Sequence, residues 1–108
     1  MGSIHPHAQV KYDGVTRAGM DLADERWAIY VRSGGYCATC GMPCSLSEGE
    51  IAHRIANTVA ARKRYGAHII DSIHNKAWTH RGRCNSAQNC FHNPGQCAEI
   101  VKMVEATR

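Results

Sequence analysis

Residues 37–44, CATCGMPC, place three of the chain's six cysteines in one short run. A Cys-x-x-Cys turn can aim two thiolates at a single tetrahedral ion, and Cys37 and Cys40 have that spacing, with Gly41 following to suit the tight backbone. A closed structural site needs two more ligands from elsewhere. The next suitable pair is His80 and Cys84, separated by three residues, a spacing that zinc sites use. The expected site is therefore Cys37, Cys40, His80 and Cys84, a Cys3His zinc staple. Cys44 or Cys90 in place of His80 is the alternative set.

Composition favours metal over disulfides. The first ten residues, MGSIHPHAQV, lack the basic-then-apolar pattern of a signal peptide, and no long apolar run could span a membrane. The expectation is a cytoplasmic, thiol-reduced setting. Paired cysteines there bind metal more often than they oxidise. No βαβ context of a redox Cys-x-x-Cys surrounds residues 37–40. Cys97 falls on an apolar helical face, where a thiol is a small core group. A second site in residues 90–97, CFHNPGQC, would need more ligands than remain. Thirteen Lys and Arg against nine Asp and Glu leave a formal charge of +4, a mild excess that suits an anionic partner without requiring one.

At 108 residues the chain reads as one domain, with a flexible lead over 1–15 and a single unit over 16–108. His5 and His7 fall in the lead and are given no role. Residues 18–35, AGMDLADERWAIYVRSGG, carry Ala23, Trp27, Tyr30 and Val31 at helical spacing, stopped by Gly34 and Gly35. Residues 35–53 have no helical period and read as a knuckle leading into a strand around Ile51. Residues 57–66, NTVAARKRYG, read as a basic helix capped by Asn57 or Thr58 and ended by Gly66. A second strand is expected over 76–79 and a short helix at 83–89. Pro94 opens a terminal helix with Cys97, Ile100, Val101 and Val104 on one face.

Inside the stapled excursion lie residues 50–58, EIAHRIANT, and residues 72–89, SIHNKAWTHRGRCNSAQN. The order of pieces is a Cys-x-x-Cys, a strand ending in His53, Asn75 opening a second strand, then Cys84 followed at once by Asn85. Over residues 36–90 this order resembles the HNH (ββα-metal, His-Me finger) endonuclease family, in its zinc-stapled branch. It is similar in particular to small phage or bacterial members.

The resemblance implies an α+β fold: a small ββα-metal core held by zinc, flanked by N- and C-terminal helices. It implies a nuclease, a hydrolase that cuts DNA phosphodiesters with a divalent cation such as Mg2+. His53 matches the general base, whose ring the family orients through a backbone carbonyl. Asn75 matches the residue that braces the loop, and Asn85 matches a ligand of the cation. Asn89 lies four residues on, and some members use such a pair on one helix face. The family commonly places Asp or His before the base, as a ligand; this chain has Ala52, with Glu50, Asp71 or His74 as candidate replacements. Arg54, Arg62, Lys63, Arg64, Arg81 and Arg83 flank the proposed site and would meet DNA phosphates without reading sequence. Cutting both strands from so small a site would call for a homodimer. The other reading of the same residues is an inactive zinc module that binds DNA or protein.

Overall fold

Two five-residue strands, β1 (Gly49–His53) and β2 (Lys76–His80), pair antiparallel with Gly49 opposite His80 and His53 opposite Lys76. The structure, a computed structural model, describes residues 22–107. The lead over 1–15, the boundary at 16, and His5 and His7 lie outside the described residues. Around the ribbon the described elements run in the order α1 (Leu22–Ser33), β1, α2 (Val59–Tyr65), α3 (Ala67–Ile70), a 3-10 turn (Ile73–Asn75), β2, α4 (Arg83–Ser86) and α5 (Pro94–Ala106). The class is α+β, as expected from the sequence.

Local chemistry sets most of the boundaries. Asp24 and Glu25 occupy the first turn of α1 and Arg32 the last, matching the helix dipole. Gly34 and Gly35 then take positive φ and end it. Thr58 caps α2, its Oγ1 accepting from the Ala61 N–H, and Gly66 ends that helix at φ +94°. Asn93 caps α5 by accepting from the Gln96 N–H, ahead of Pro94.

Two apolar clusters flank the ribbon. Trp78 of β2 packs with Ile29, Cys37 and Cys44, and its indole N–H donates to the Cys44 carbonyl at 3.0 Å. Gly49 is required there, because a Cβ at this position would lie 2.3 Å from the Trp78 ring. The second cluster joins Ile55, Ala61, Ile69, Ile70 and Cys90 to Cys97, Ile100 and Val104 of α5. Cys97 is thus a core thiol, as its helical position suggested.

The buried face of α1 differs from the expected one. Glu25 and Ile29 are buried, whereas Trp27 and Val31 are 50 % and 54 % exposed. The reason lies across the chain: Glu25 Oε2 meets Lys76 Nζ at 2.6 Å, a buried ion pair, while Ile29 meets Trp78. Trp27 instead stacks obliquely on Tyr30, ring centres 5.7 Å apart.

Candidate metal centre and the adjoining pocket

The Cys-x-x-Cys turn lies at the Gly49–His80 end of the ribbon. Tyr36 bridges to Pro43, the Cys37 N–H donates to the Met42 carbonyl at 2.9 Å, and the Gly41 N–H donates back to Cys37 at 2.9 Å. Gly41 has φ +76°, the conformation that the knuckle needs and that glycine adopts without strain. Ala38 anchors the turn to β2 by donating to the Trp78 carbonyl at 2.8 Å.

Cys37, Cys40, His80 and Cys84 converge, with one donor atom from each lying within 4.8 Å of the others. This Cys3His cluster could hold a metal ion such as zinc, and its surroundings fit that group. His80 Nε2 is 3.1 Å from the Pro43 carbonyl; a carbonyl only accepts, so Nε2 carries the proton. Nδ1 is then left bare and faces Cys40 Sγ at 3.5 Å. Fixing one ring nitrogen so that the other can ligate is usual at metal sites. Cys37 Sγ accepts the N–H groups of Thr39 and Cys40 at 3.4 and 3.5 Å. Burial raises this thiol, but those amides outweigh it and bring Cys37 down to about 6. Cys84 goes the other way, to about 11, through burial and its two thiol neighbours. Three thiolates cannot share so small a space unless a cation balances them.

Of the alternative ligands, Cys90 lies in the α5 core cluster, away from this group. Cys44 is buried and forms a second possible grouping with Glu48 and the same His80. Thr39 fastens the knuckle to α4, since its hydroxyl donates to the Cys84 carbonyl at 2.7 Å and accepts from Gln88 Nε2 at 2.8 Å.

One residue past Cys84, α4 turns toward a different site. An open pocket of about 420 Å³ is lined by Ile51, His53, Ala56, Asn57, Asn85, Ser86 and Asn89. It unites three of the sequence-derived residues, His53, Asn85 and Asn89. His53 is half-buried at the end of β1, and burial, followed by the charge of Lys76, lowers its pKa below the ordinary histidine value. Its ring makes no hydrogen bond with the described residues, so the backbone carbonyl expected to orient it is not among them. Asn85 Nδ2 donates to Glu50 Oε2 at 2.6 Å and to the Ile51 carbonyl at 3.3 Å. Both amide hydrogens are thereby used, and Oδ1 is the end left over.

Asn89 does not share a helix face with Asn85. α4 stops at Ser86, and the chain tightens into bonds from Gln88 N to Asn85 O and from Asn89 N to Ser86 O, each three residues back. The Asn89 side-chain oxygen accepts from the Phe91 N–H at 3.0 Å.

Asn75 lies outside the pocket and supports it from below. Its fully buried side chain accepts from the Ile55 N–H at 2.7 Å and donates to the carbonyls of Ile55 and Ile70 at 3.0 and 3.1 Å. Its own carbonyl accepts from the Arg54 N–H at 2.8 Å, pinning the chain just after His53.

Ala52 is fully buried, and among the described residues no carboxylate lines the pocket. Asp71 is taken by Arg62, with contacts of 2.5 and 3.3 Å. His74 sits in the 3-10 turn, lowered by burial and then by Arg32, and lines no part of the pocket.

The basic residues divide in the same way. Arg62 also donates to Asn57 Oδ1 at 2.7 Å, so its guanidinium is tied into an internal network. Arg81 reaches the Ser47 carbonyl at 3.1 Å and Glu50 at 3.9 Å. Arg64 lies over the Tyr65 ring, 5.5 Å from its centre. Arg54 is half-buried, whereas Lys63 and Arg83 are exposed. Sequence reading missed Ile51, Ala56, Asn57 and Ser86 as pocket residues. Asn57 had the signature of a helix cap, but Thr58 takes that role.

Comparison with family models, with curated proteins and with solved structures gives no match. Among the described residues no helix is long and apolar enough to cross a membrane.

Proposed function

We propose that this chain is a metal-dependent DNA endonuclease of the HNH type. The observation that carries the reading is the convergence of His53 with Asn85 and Asn89, more than thirty residues further along the chain, on one pocket beside a Cys3His cluster. The order of elements supports it as well: β1, then β2, then α4 packed against both strands, as in a ββα-metal core.

His53, with its pKa lowered, is neutral at physiological pH and can take a proton from a water molecule in the pocket. Asn75 keeps the following loop in place and so keeps His53 at the pocket mouth. The amide oxygens of Asn85 and Asn89 would hold a divalent cation such as Mg2+. When bound, that ion would neutralise charge on the scissile phosphate and the leaving oxygen. Both donors are neutral, and hard cations favour carboxylates, so binding to the free protein should be weak and should tighten with DNA present. Lys63 and Arg83, both exposed, would supply phosphate contacts that depend on salt and not on sequence.

A plasmid nicking assay with Mg2+, Mn2+ or Ni2+ tests this. Wild type should nick, and His53→Ala should be slower by roughly a hundredfold or more, the usual worth of a positioned base. One observation favours a second reading, a zinc-bearing module that binds DNA or protein without cutting: buried Ala52 stands where a ligand is expected, and no carboxylate among the described residues lines the pocket. Absence of nicking with all three ions, in protein that holds zinc and binds duplex, would select it.

A further inference from the structure

Glu50 is a carboxylate bonded to Asn85, a lining residue of a pocket that has no carboxylate of its own among the described residues. Its position argues against a direct place in the pocket. On a strand, alternate side chains face opposite ways, so Glu50 points away from Ile51 and His53, and it is not among the residues lining the pocket. Both of its oxygens have neighbours: Oε2 accepts from Asn85 Nδ2 at 2.6 Å, and Oε1 lies 3.9 Å from Arg81 Nε.

We propose that Glu50 is a positioning residue, whose carboxylate holds the Asn85 amide in the orientation that leaves Oδ1 available to a hard divalent cation. The two ends of an asparagine amide have nearly the same shape, so only hydrogen bonds decide which end faces where. Here an acceptor-only carboxylate and the Ile51 carbonyl both demand the NH2 end. The carboxylate bond is the shorter and is charge-assisted, so it is the stronger of the two. Without it, the amide keeps only the 3.3 Å bond to Ile51, and the flipped form would turn N–H groups toward the cation. Glu50 thereby accounts for how a chain with Ala52 before its histidine can still offer an oriented ligand. Arg81 closes the network by holding the far side of the carboxylate and the Ser47 carbonyl.

This inference rests on the reading of Asn85 as a cation ligand, and its test separates the two. Glu50→Gln keeps an acceptor oxygen for Asn85 but removes the charge, whereas Glu50→Ala removes both. Mn2+ is titrated into each full-length protein in the presence of duplex DNA and followed by electron paramagnetic resonance. In parallel, the Asn85 side-chain NH2 pair is followed by NMR, assigned through its loss in Asn85→Asp. Glu50→Ala should weaken Mn2+ binding about tenfold, the low end for groups that orient a ligand, and speed exchange of the Asn85 amide protons. Glu50→Gln, which keeps an acceptor oxygen but loses the charge, should fall between wild type and Glu50→Ala in both. Glu50→Gln as weak as Glu50→Ala would overturn the positioning role in favour of direct charge, and an unchanged Glu50→Ala would overturn it outright. Zinc content equal to wild type confirms that each variant is folded. Failure of the nuclease reading appears separately, as a wild type that neither binds Mn2+ nor nicks; the amide spectra still report whether Glu50 holds Asn85.

Discussion

The two ends of the β1–β2 ribbon use the same strands and the same short helix, yet one is closed and the other open. At the Gly49–His80 end, four donors face one another, and their neighbours are already committed: His80 to Pro43, Cys37 to two backbone amides, Thr39 to Cys84. At the His53–Lys76 end, the His53 ring and the Asn85 oxygen meet a solvent-open pocket without partners among the described residues. Structural metal sites are closed in the first way, and reactive sites keep an open position in the second. Adjacent residues of α4, Cys84 and Asn85, serve the two ends, so whatever fixes the first also places the second.

The largest way to break this comparison is Cys84→Ser. Structural zinc in small domains contributes about 10 kcal/mol or more to folding at neutral pH, and the apolar clusters among the described residues are modest. Expected are one zinc per wild-type chain by elemental analysis, none in the variant, and loss of the cooperative thermal transition. Natively purified wild type without zinc would remove the closed end from the argument.

A smaller effect isolates the brace from the staple. Asn75→Ala deletes three buried hydrogen bonds and leaves the Ile55 N–H and the Ile55 and Ile70 carbonyls without that partner. At about 1 kcal/mol or more for each group left unsatisfied, the variant should lose roughly 3 kcal/mol in urea unfolding while keeping its zinc. A loss below about 1 kcal/mol would show that water reaches those groups and that Asn75 is no brace.

How far the sequence could be read follows the same division. The knuckle, His80 and Cys84 were legible because ligand spacing is local geometry, and α2 and α5 because Thr58, Gly66 and Pro94 mark their ends. α3 and the 3-10 turn were missed, since four and three residues carry no period. The buried face of α1 was misplaced because its key contact, Glu25 with Lys76, spans 51 residues and pairs two charges that a hydrophobic pattern assigns to the surface. In the pocket, His53 and Asn85 stood out only as members of an ordered set. Asn57, and the bond from Asn85 to Glu50, depend on how α4 docks against β1, which no spacing encodes.

The subtlest test concerns the charge around His53. Burial lowers its pKa first, and Lys76, opposite it in the strand register, lowers it further; Arg62 acts in the same direction, while Asp71 and Glu25 oppose. A lowered pKa means that the proton leaves at lower pH, so at pH 7 the ring is the free base. If the chain is the proposed nuclease, its nicking rate should therefore be flat through neutral pH, with its acid limb below 6.5, the ordinary histidine value. Glu25 is the lever. It holds the Lys76 charge at 2.6 Å, and Glu25→Gln removes a group that favours the protonated ring, so the acid limb should move to still lower pH. The shift should be well under one unit, because Lys76 can recruit water once unpaired. Rates measured from pH 5 to 8 decide it. An acid limb at or above pH 7, or one that Glu25→Gln moves upward, would mean that the group being titrated is not His53, and that the open end of the ribbon draws its base from elsewhere.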